Sequence, residues 1–295
     1  MESRNTHWLR PLALVSAAAV VLSACKLYLP ETDDDGEAEV RFAVQQTPHQ
    51  GVLQVGLVID SVELERDNGD VHEVDVSGDP DPFELIPFSQ TGDPQVFTVF
   101  GGEPLPGGDY SRLTLVIDTD ASFVESAVGV SSLEPADGGD QLNFESDFRL
   151  EAESDEELVL TVDVHAGLRE GTDRYQLEPT HFLTTNATSG SVDVVRPACP
   201  ELGLYFHRGE NQSARELGDG DGPWFTLRPE MGRSEVFVPY FPSDTYTLWY
   251  TCEADADDPE TIDGVEFEQS LNLGIDDGRC SFLEFDGPRG EPGTC

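Results

Sequence analysis

Leu53-Gln54-Val55-Gly56-Leu57-Val58-Ile59-Asp60-Ser61-Val62-Glu63-Leu64-Glu65-Arg66, followed by Asp67-Asn68-Gly69-Asp70 and Val71-His72-Glu73-Val74-Asp75-Val76, decides the fold class. Its apolar residues fall on odd positions (Leu53, Val55, Leu57, Ile59) and then on even ones (Val62, Leu64). Period two marks a strand with one buried face. The change of parity requires an extra residue, a bulge or bend near Asp60 and Ser61. Asp67-Asn68-Gly69-Asp70 supplies residues that tolerate positive φ, so Val62–Glu65 and Val71–Val76 are expected to close a hairpin.

The same alternation extends in both directions. Val40, Phe42 and Val44 repeat it, as do Leu158, Leu160, Val162 and Val164. Further on come Leu202, Leu204 and Phe206, then Tyr246, Leu248, Tyr250 and Cys252, and then Val265, Phe267, Leu271, Leu273 and Ile275. Gly, Pro, Asp and Asn clusters separate these runs, which is the pattern of sandwiches and barrels. After residue 24 no long stretch keeps helical spacing, so helix is expected only as a turn or two near Ala166 to Glu170. The reading is all-β: two β-sandwich domains in tandem, 38–195 and 196–295, parted at Arg196-Pro197, the second of about seven strands.

The order of Val55 to Arg66, Pro82-Phe83-Glu84-Leu85-Ile86-Pro87-Phe88, Leu105-Pro106-Gly107-Gly108-Asp109-Tyr110 running on to Asp118, Val162-Asp163-Val164, Tyr175 to Pro179, and Gly190-Ser191-Val192 resembles the bacterial lipoprotein family built on Domain of Unknown Function 4382. The resemblance covers Ala38 to Val195. It implies location and architecture and carries no catalytic residue. The segment 196–295 is similar to the carboxypeptidase-regulatory or immunoglobulin-like modules that follow such domains, which implies a spacer, stabiliser or binding platform.

Residues 1–24 have the three parts of a secretory signal: Arg4 and Arg10, an apolar run from Leu12 to Leu22, and small residues before a cut. Leu22-Ser23-Ala24-Cys25 resembles the lipobox of bacterial lipoproteins, whose cysteine becomes the acylated N-terminus. The apolar run is shorter than the ~20 residues of a membrane span, whereas two or more acyl chains on Cys25 anchor stably. Residues 25–37 then read as an acidic tether. Lys26 after the cysteine, by similarity to the sorting pattern of enteric lipoproteins, points to the outer membrane.

Without residues 1–24 the chain holds 14 basic and 58 acidic residues. Such a surface excludes nucleic acid and repels anionic headgroups. Lys26 is the sole lysine, and this Asp/Glu-rich, Lys-poor balance looks like that of proteins from salt-loving organisms. Disorder, the other outcome of high charge, is opposed by the strand pattern.

Cys199, Cys252, Cys280 and Cys295 allow three pairings. Export permits disulfides, and Cys252 lies at a strand end, so Cys199–Cys252 and Cys280–Cys295 are expected. Metal binding by these cysteines fails on spacing.

Nucleophile elbows, His-Glu-x-x-His, phosphate loops and Ser-x-x-Lys do not occur. His49, His72, His165, His181 and His207 are scattered and read as surface or strand-edge residues. Asp219-Gly220-Asp221-Gly222 and Asp255-Ala256-Asp257-Asp258 place carboxylates close enough to share calcium, against the simpler reading of solvated turns. In the second cluster the candidates are Asp255, Asp257 and Asp258; in the first, Asp219 and Asp221. Trp224, Tyr240, Trp249 and Tyr250 are candidates for a sugar- or peptide-binding face. The expected function is a non-enzymatic surface lipoprotein whose domains bind a protein, a glycan or the cell wall, or serve as structure. The alternatives are a calcium-dependent adhesion or carbohydrate-binding module and a hydrolase.

Overall fold

The computed structural model describes residues 36–46, 52–76, 83–85, 96–171, 173–179, 181–195, 199, 201–228 and 235–285. The signal, Cys25, most of the tether, His49, the Arg196-Pro197 linker and Cys295 lie outside them. Among the described residues the chain is all-β, as expected, and no helix is long and apolar enough to cross a membrane.

The opening hairpin pairs Ile59–Arg66 with Val71–Asp75, with Glu65 opposite Val71. Gly69 takes φ +87°, Gly69 N donates to Arg66 O, and Arg66 N donates to Asp70 O. This is a tight turn closed by one glycine in the left-handed region, rather than by several positive-φ residues. The parity switch is a β-bulge: Ile59 faces Ile117 and Ser61 faces Val116, leaving Asp60 as the extra residue. The run before it, Val52–Leu57, joins a different sheet by pairing with Phe123–Ser126.

Three sheets enclose the first core. One orders His181–Thr185, Asp155–Val162, Glu37–Gln46 and Val96–Pro106, with Glu37–Gln46 parallel to Asp155–Val162. The second orders Gln141–Leu150, Gly108–Ile117, Ile59–Arg66 and Val71–Asp75. The third is a six-stranded layer that includes Val52–Leu57. Val40, Phe42, Leu57, Leu64, Leu113, Phe144, Leu158 and Leu160 fill the space between them, all fully buried.

A second core is built by Glu235–Pro242, Ser189–Val195 and Cys280–Glu284 facing Phe225–Leu227, Gly203–Arg208, Thr245–Thr251 and Phe267–Gly274. Seven described strands therefore surround it. One of them, Ser189–Val195, lies before residue 196 in the chain and lends Val192 and Val194 to this core.

Both halves carry the same corner. Tyr110 OH donates to Pro106 O at 2.7 Å, and Tyr246 OH donates to Pro242 O at 3.0 Å. Each tyrosine is buried and reaches back four residues, the tyrosine corner of immunoglobulin-like sandwiches. The first corner needs its glycine: Gly108 has φ +132°, and a Cβ there would strike the Arg66 guanidinium.

The halves also lock together. Asp163 caps a single helical turn, Val164–Gly167, by accepting from Ala166 N. It also takes Thr226 N at 2.7 Å and Thr226 Oγ1 at 2.8 Å. This cap places the turn two residues earlier than the spacing predicts, and Leu168–Glu170 is a strand instead. Phe182 stacks on Trp224 at 5.0 Å and packs on Phe225 and Phe241, inside the second core. The described residues from Gly36 onward accordingly form one compact unit.

Cys199 and Cys252 are disulfide-bonded, with Cα atoms 5.6 Å apart. The bond sits just beyond the paired ends Gly203 and Thr251. Cys280 is disulfide-bonded as well. Replacing Cys199 and Cys252 together with serine is expected to cost about 2–4 kcal/mol, because the released loop regains entropy when unfolded. Denaturant melts of the double variant against wild type measure this; a midpoint unchanged by the replacement would mean that the strand pairing alone fixes these ends.

Candidate functional site

The first acidic loop is a closed turn. Gly222 N donates to Asp219 O, Asp221 N donates to Asp219 Oδ1, and Arg215 Nη1 lies 2.6 Å from Asp221 and 3.9 Å from Asp219. Arg215 is thus the cation that Asp219 and Asp221 share.

The second loop disperses its carboxylates. Asp255 pairs with the buried Arg228. Asp258 Oδ1 accepts from Glu260 N. Asp257 turns inward, 5% exposed, and accepts from Tyr205 OH at 2.5 Å and from Leu217 N. Burial pushes the Asp257 carboxyl above the usual carboxylate range and the Tyr205 hydroxyl well above its usual value. Only Asp257 of the five candidates joins a convergent group, with Glu216 and Asp263, whose oxygens approach within 4.8 Å.

All six oxygens of that group already accept hydrogen bonds. Glu216 takes Asp263 N, Gly264 N and Val265 N. Asp263 takes Thr261 Oγ1 and Asp258 N, and Asp257 is satisfied as above. The carboxylates latch the excursion 209–224 to the excursion 253–266 across the outer face of the sheet. No local signal marks Glu216, since its partners are 47 to 49 residues away.

The same cover explains a departure from the sequence reading. His207 and His165 are buried, not surface residues. His207 lies on the face that the 209–224 excursion covers, where burial and then Arg215 push it down to about 4, so it is neutral at pH 7. His165 lies in the capped turn against Phe225–Leu227. The candidate aromatics are also engaged. Trp224 packs in the second core with Arg208 over its ring at 4.5 Å. Tyr240 OH donates to Glu157, Trp249 Nε1 donates to Gln212 O, and Tyr250 meets Phe285 edge-on.

A cleft of about 680 Å³ opens in the first half, where Gln141–Leu150 and His181–Thr185, terminal strands of two sheets, come together. A bulge between Glu145 and Phe148 carries Asp147 to the rim and sets Phe148 opposite Tyr110. Their rings stack at 5.1 Å and 11°. Tyr110 is buried and Phe148 half-buried, and both line the cleft. Asp67, Asp109 and Glu151 also line it, and Arg149 is bonded to both Asp109 and Glu151.

Glu156 reaches the cleft from a core-facing position, in parity with Leu158, Leu160 and Val162. It is 6% exposed, and its Oε2 has no hydrogen-bond partner. The sequence carried this signal unread: Asp155-Glu156-Glu157-Leu158 puts a carboxylate where the alternation demands an apolar residue.

Residues 37–179, which contain this cleft's floor and Glu156, match the sequence profile of the family described as Domain of unknown function (DUF4382). This segment is thus similar to that family. The matched segment holds the first corner, the bulge at Asp60 and the stacked Tyr110–Phe148 pair; the cleft is completed from outside it by Leu183 to Thr188.

No curated protein matches the chain. Among solved structures it is similar to the Bacillus anthracis TIE protein (9% identity, TM-score 0.18), covering 84% of this chain and 33% of that one. The chain thus spans about a third of that protein's length. It is also similar to the minor pilin of Streptococcus agalactiae (10%, TM-score 0.20, 86% and 99% covered) and to the shaft pilin SpaA of Lactobacillus rhamnosus GG (9%, TM-score 0.21, 83% and 96% covered). Overlays this loose carry no argument about activity or partner.

Proposed function

We propose that this chain is an exported lipoprotein of the cell envelope, held on a membrane by acyl chains on Cys25, the outer membrane on the reading of Lys26. Its β body binds a partner rather than transforming one. The observation that supports binding is the cleft: a half-buried ring stacked on a buried one, with a buried carboxylate in the same lining, on strands of two sheets. A concave site with an apolar floor and few placed polar groups is the usual form of a ligand site.

The anchor is tested by Cys25→Ser. The variant is expected to lose palmitate labelling and to appear in soluble or unprocessed form. A variant that is cut at the signal and still sediments with membranes would place the anchor elsewhere.

A calcium-dependent adhesion or carbohydrate-binding role is the second reading, favoured by the approach of Glu216, Asp257 and Asp263. Against it stand the hydrogen bonds already made by all six oxygens.

A further inference from the structure

We propose that the cleft beside Phe148 binds an organic cation: a guanidinium or ammonium group carried on an apolar stem. This rests on the reading of the body as a binding module and names its ligand class.

Glu156 is the first support. A buried carboxylate oxygen without a donor is costly, because the water it lost has not been replaced. The cost is removed when a ligand supplies an N–H donor, and a charged donor restores most. Glu156 Oε2 lacks a partner, and Glu156 lines the cleft.

Phe148 is the second. One face is occupied by Tyr110, and a cation over the other face is attracted by the ring quadrupole. Leu183, in the wall, suits an alkyl stem.

Charge is the third. Five carboxylates line the cleft against the guanidinium of Arg149, which Asp109 and Glu151 already hold. Anionic ligands are repelled. A hard divalent ion is poorly matched, since it wants six or more oxygens, whereas the cleft offers one buried carboxylate beside an aromatic ring.

The test is calorimetric titration of the purified mature chain with N-acetyl-arginine amide, with its neutral isostere N-acetyl-citrulline amide, and with putrescine. The arginine probe is expected to bind one per chain, and citrulline to bind at least ~10-fold more weakly. Glu156→Gln is expected to weaken the arginine probe by ~10-fold or more while raising the melting temperature of the free protein, because it removes a buried charge. A purely structural glutamate would lower it. Phe148→Leu is expected to cost a few-fold in affinity.

Asp276→Asn, on the turn after Phe267–Gly274, removes the same charge outside the cleft and is expected to bind like wild type. If Asp276→Asn and Glu156→Gln behave alike, cations merely condense on an acidic surface and the proposal is overturned. Equal binding of arginine and citrulline overturns it too, as does failure of both cations to bind. Should Glu156→Gln not fold, Asp147→Asn on the rim must weaken the arginine probe relative to Asp276→Asn. Binding of the arginine probe alone assigns the site to a basic side chain of a peptide, and of putrescine alone to a free amine. Mass spectrometry of the recovered probe separates the two readings: an altered probe overturns the non-enzymatic role, while a failed titration leaves the Cys25 anchor untouched.

Discussion

Replacing Asp163 with alanine is expected to lower stability by about 3–5 kcal/mol, the largest loss from any single side chain considered for this protein. Its carboxylate is 1% exposed and serves both halves at once, accepting from Ala166 N in the first and from Thr226 N and Oγ1 in the second. Truncation leaves two backbone donors and a hydroxyl buried without acceptors, and each costs about 1–3 kcal/mol. For a chain of this size the loss corresponds to a fall in melting temperature of roughly 10 °C. Asp163→Asn keeps the shape but turns an amide donor toward Thr226, so an intermediate loss is expected. Differential scanning calorimetry reads both. A loss below ~1 kcal/mol for alanine would mean that Phe182 in its aromatic socket, not the carboxylate, holds the halves together.

The second large effect is salt. With 58 acidic and 14 basic residues after residue 24, folding brings like charges together. Specific pairs are visible: Glu63 lies directly opposite Glu73 across one ladder, and Glu39 opposite Asp155 across another. Like charges so placed oppose pairing. Arg112 and Arg149 each serve two carboxylates, so the cations are shared out thinly. The screening length is ~30 Å at 0.01 M and ~3 Å at 1 M. The melting temperature is therefore expected to rise by on the order of 10 °C between dilute buffer and molar sodium chloride. Calcium at fixed ionic strength is expected to act like any other salt, because the carboxylates nearest to forming a cage already hold hydrogen bonds. A millimolar effect specific to calcium would restore the metal reading of Asp257. A melting temperature indifferent to chloride would sink the halophilic one.

Parity made the fold legible. Residues 52–76 gave away a strand, a bulge at Asp60, a tight turn and a return strand, because each is a local consequence of period two and of glycine at one position. The cysteine pairing at Cys199 and Cys252 was legible for a similar reason, since strand ends that pair bring their flanking residues together. Tertiary context hid the rest. His207 looks like an edge residue until the excursion 209–224 covers it. Glu216 meets Asp257 and Asp263 only because two long loops cross. Val192 and Val194 belong to the second core although they precede the predicted linker. The cleft lay between: its buried carboxylate was readable as a break in the apolar parity of Asp155–Val162, but the space around it depends on two sheets meeting.

Two parallel pairings also govern how the chain comes to fold. Glu37–Gln46 is laid parallel against Asp155–Val162, and Ser189–Val195 is laid parallel against Cys280–Glu284. In each half an early strand waits for a late one. A ribosome delivers the chain from its N-terminus, so Glu39 is in the open long before Asp155 exists. Pairings this distant in sequence are slow to close. The first half is therefore an unsealed sheet until Asp155–Val162 has followed Glu37–Gln46, and the second repeats the delay until Cys280–Glu284 arrives. A dense negative charge suits that interval, because half-finished sheets that repel one another do not stick.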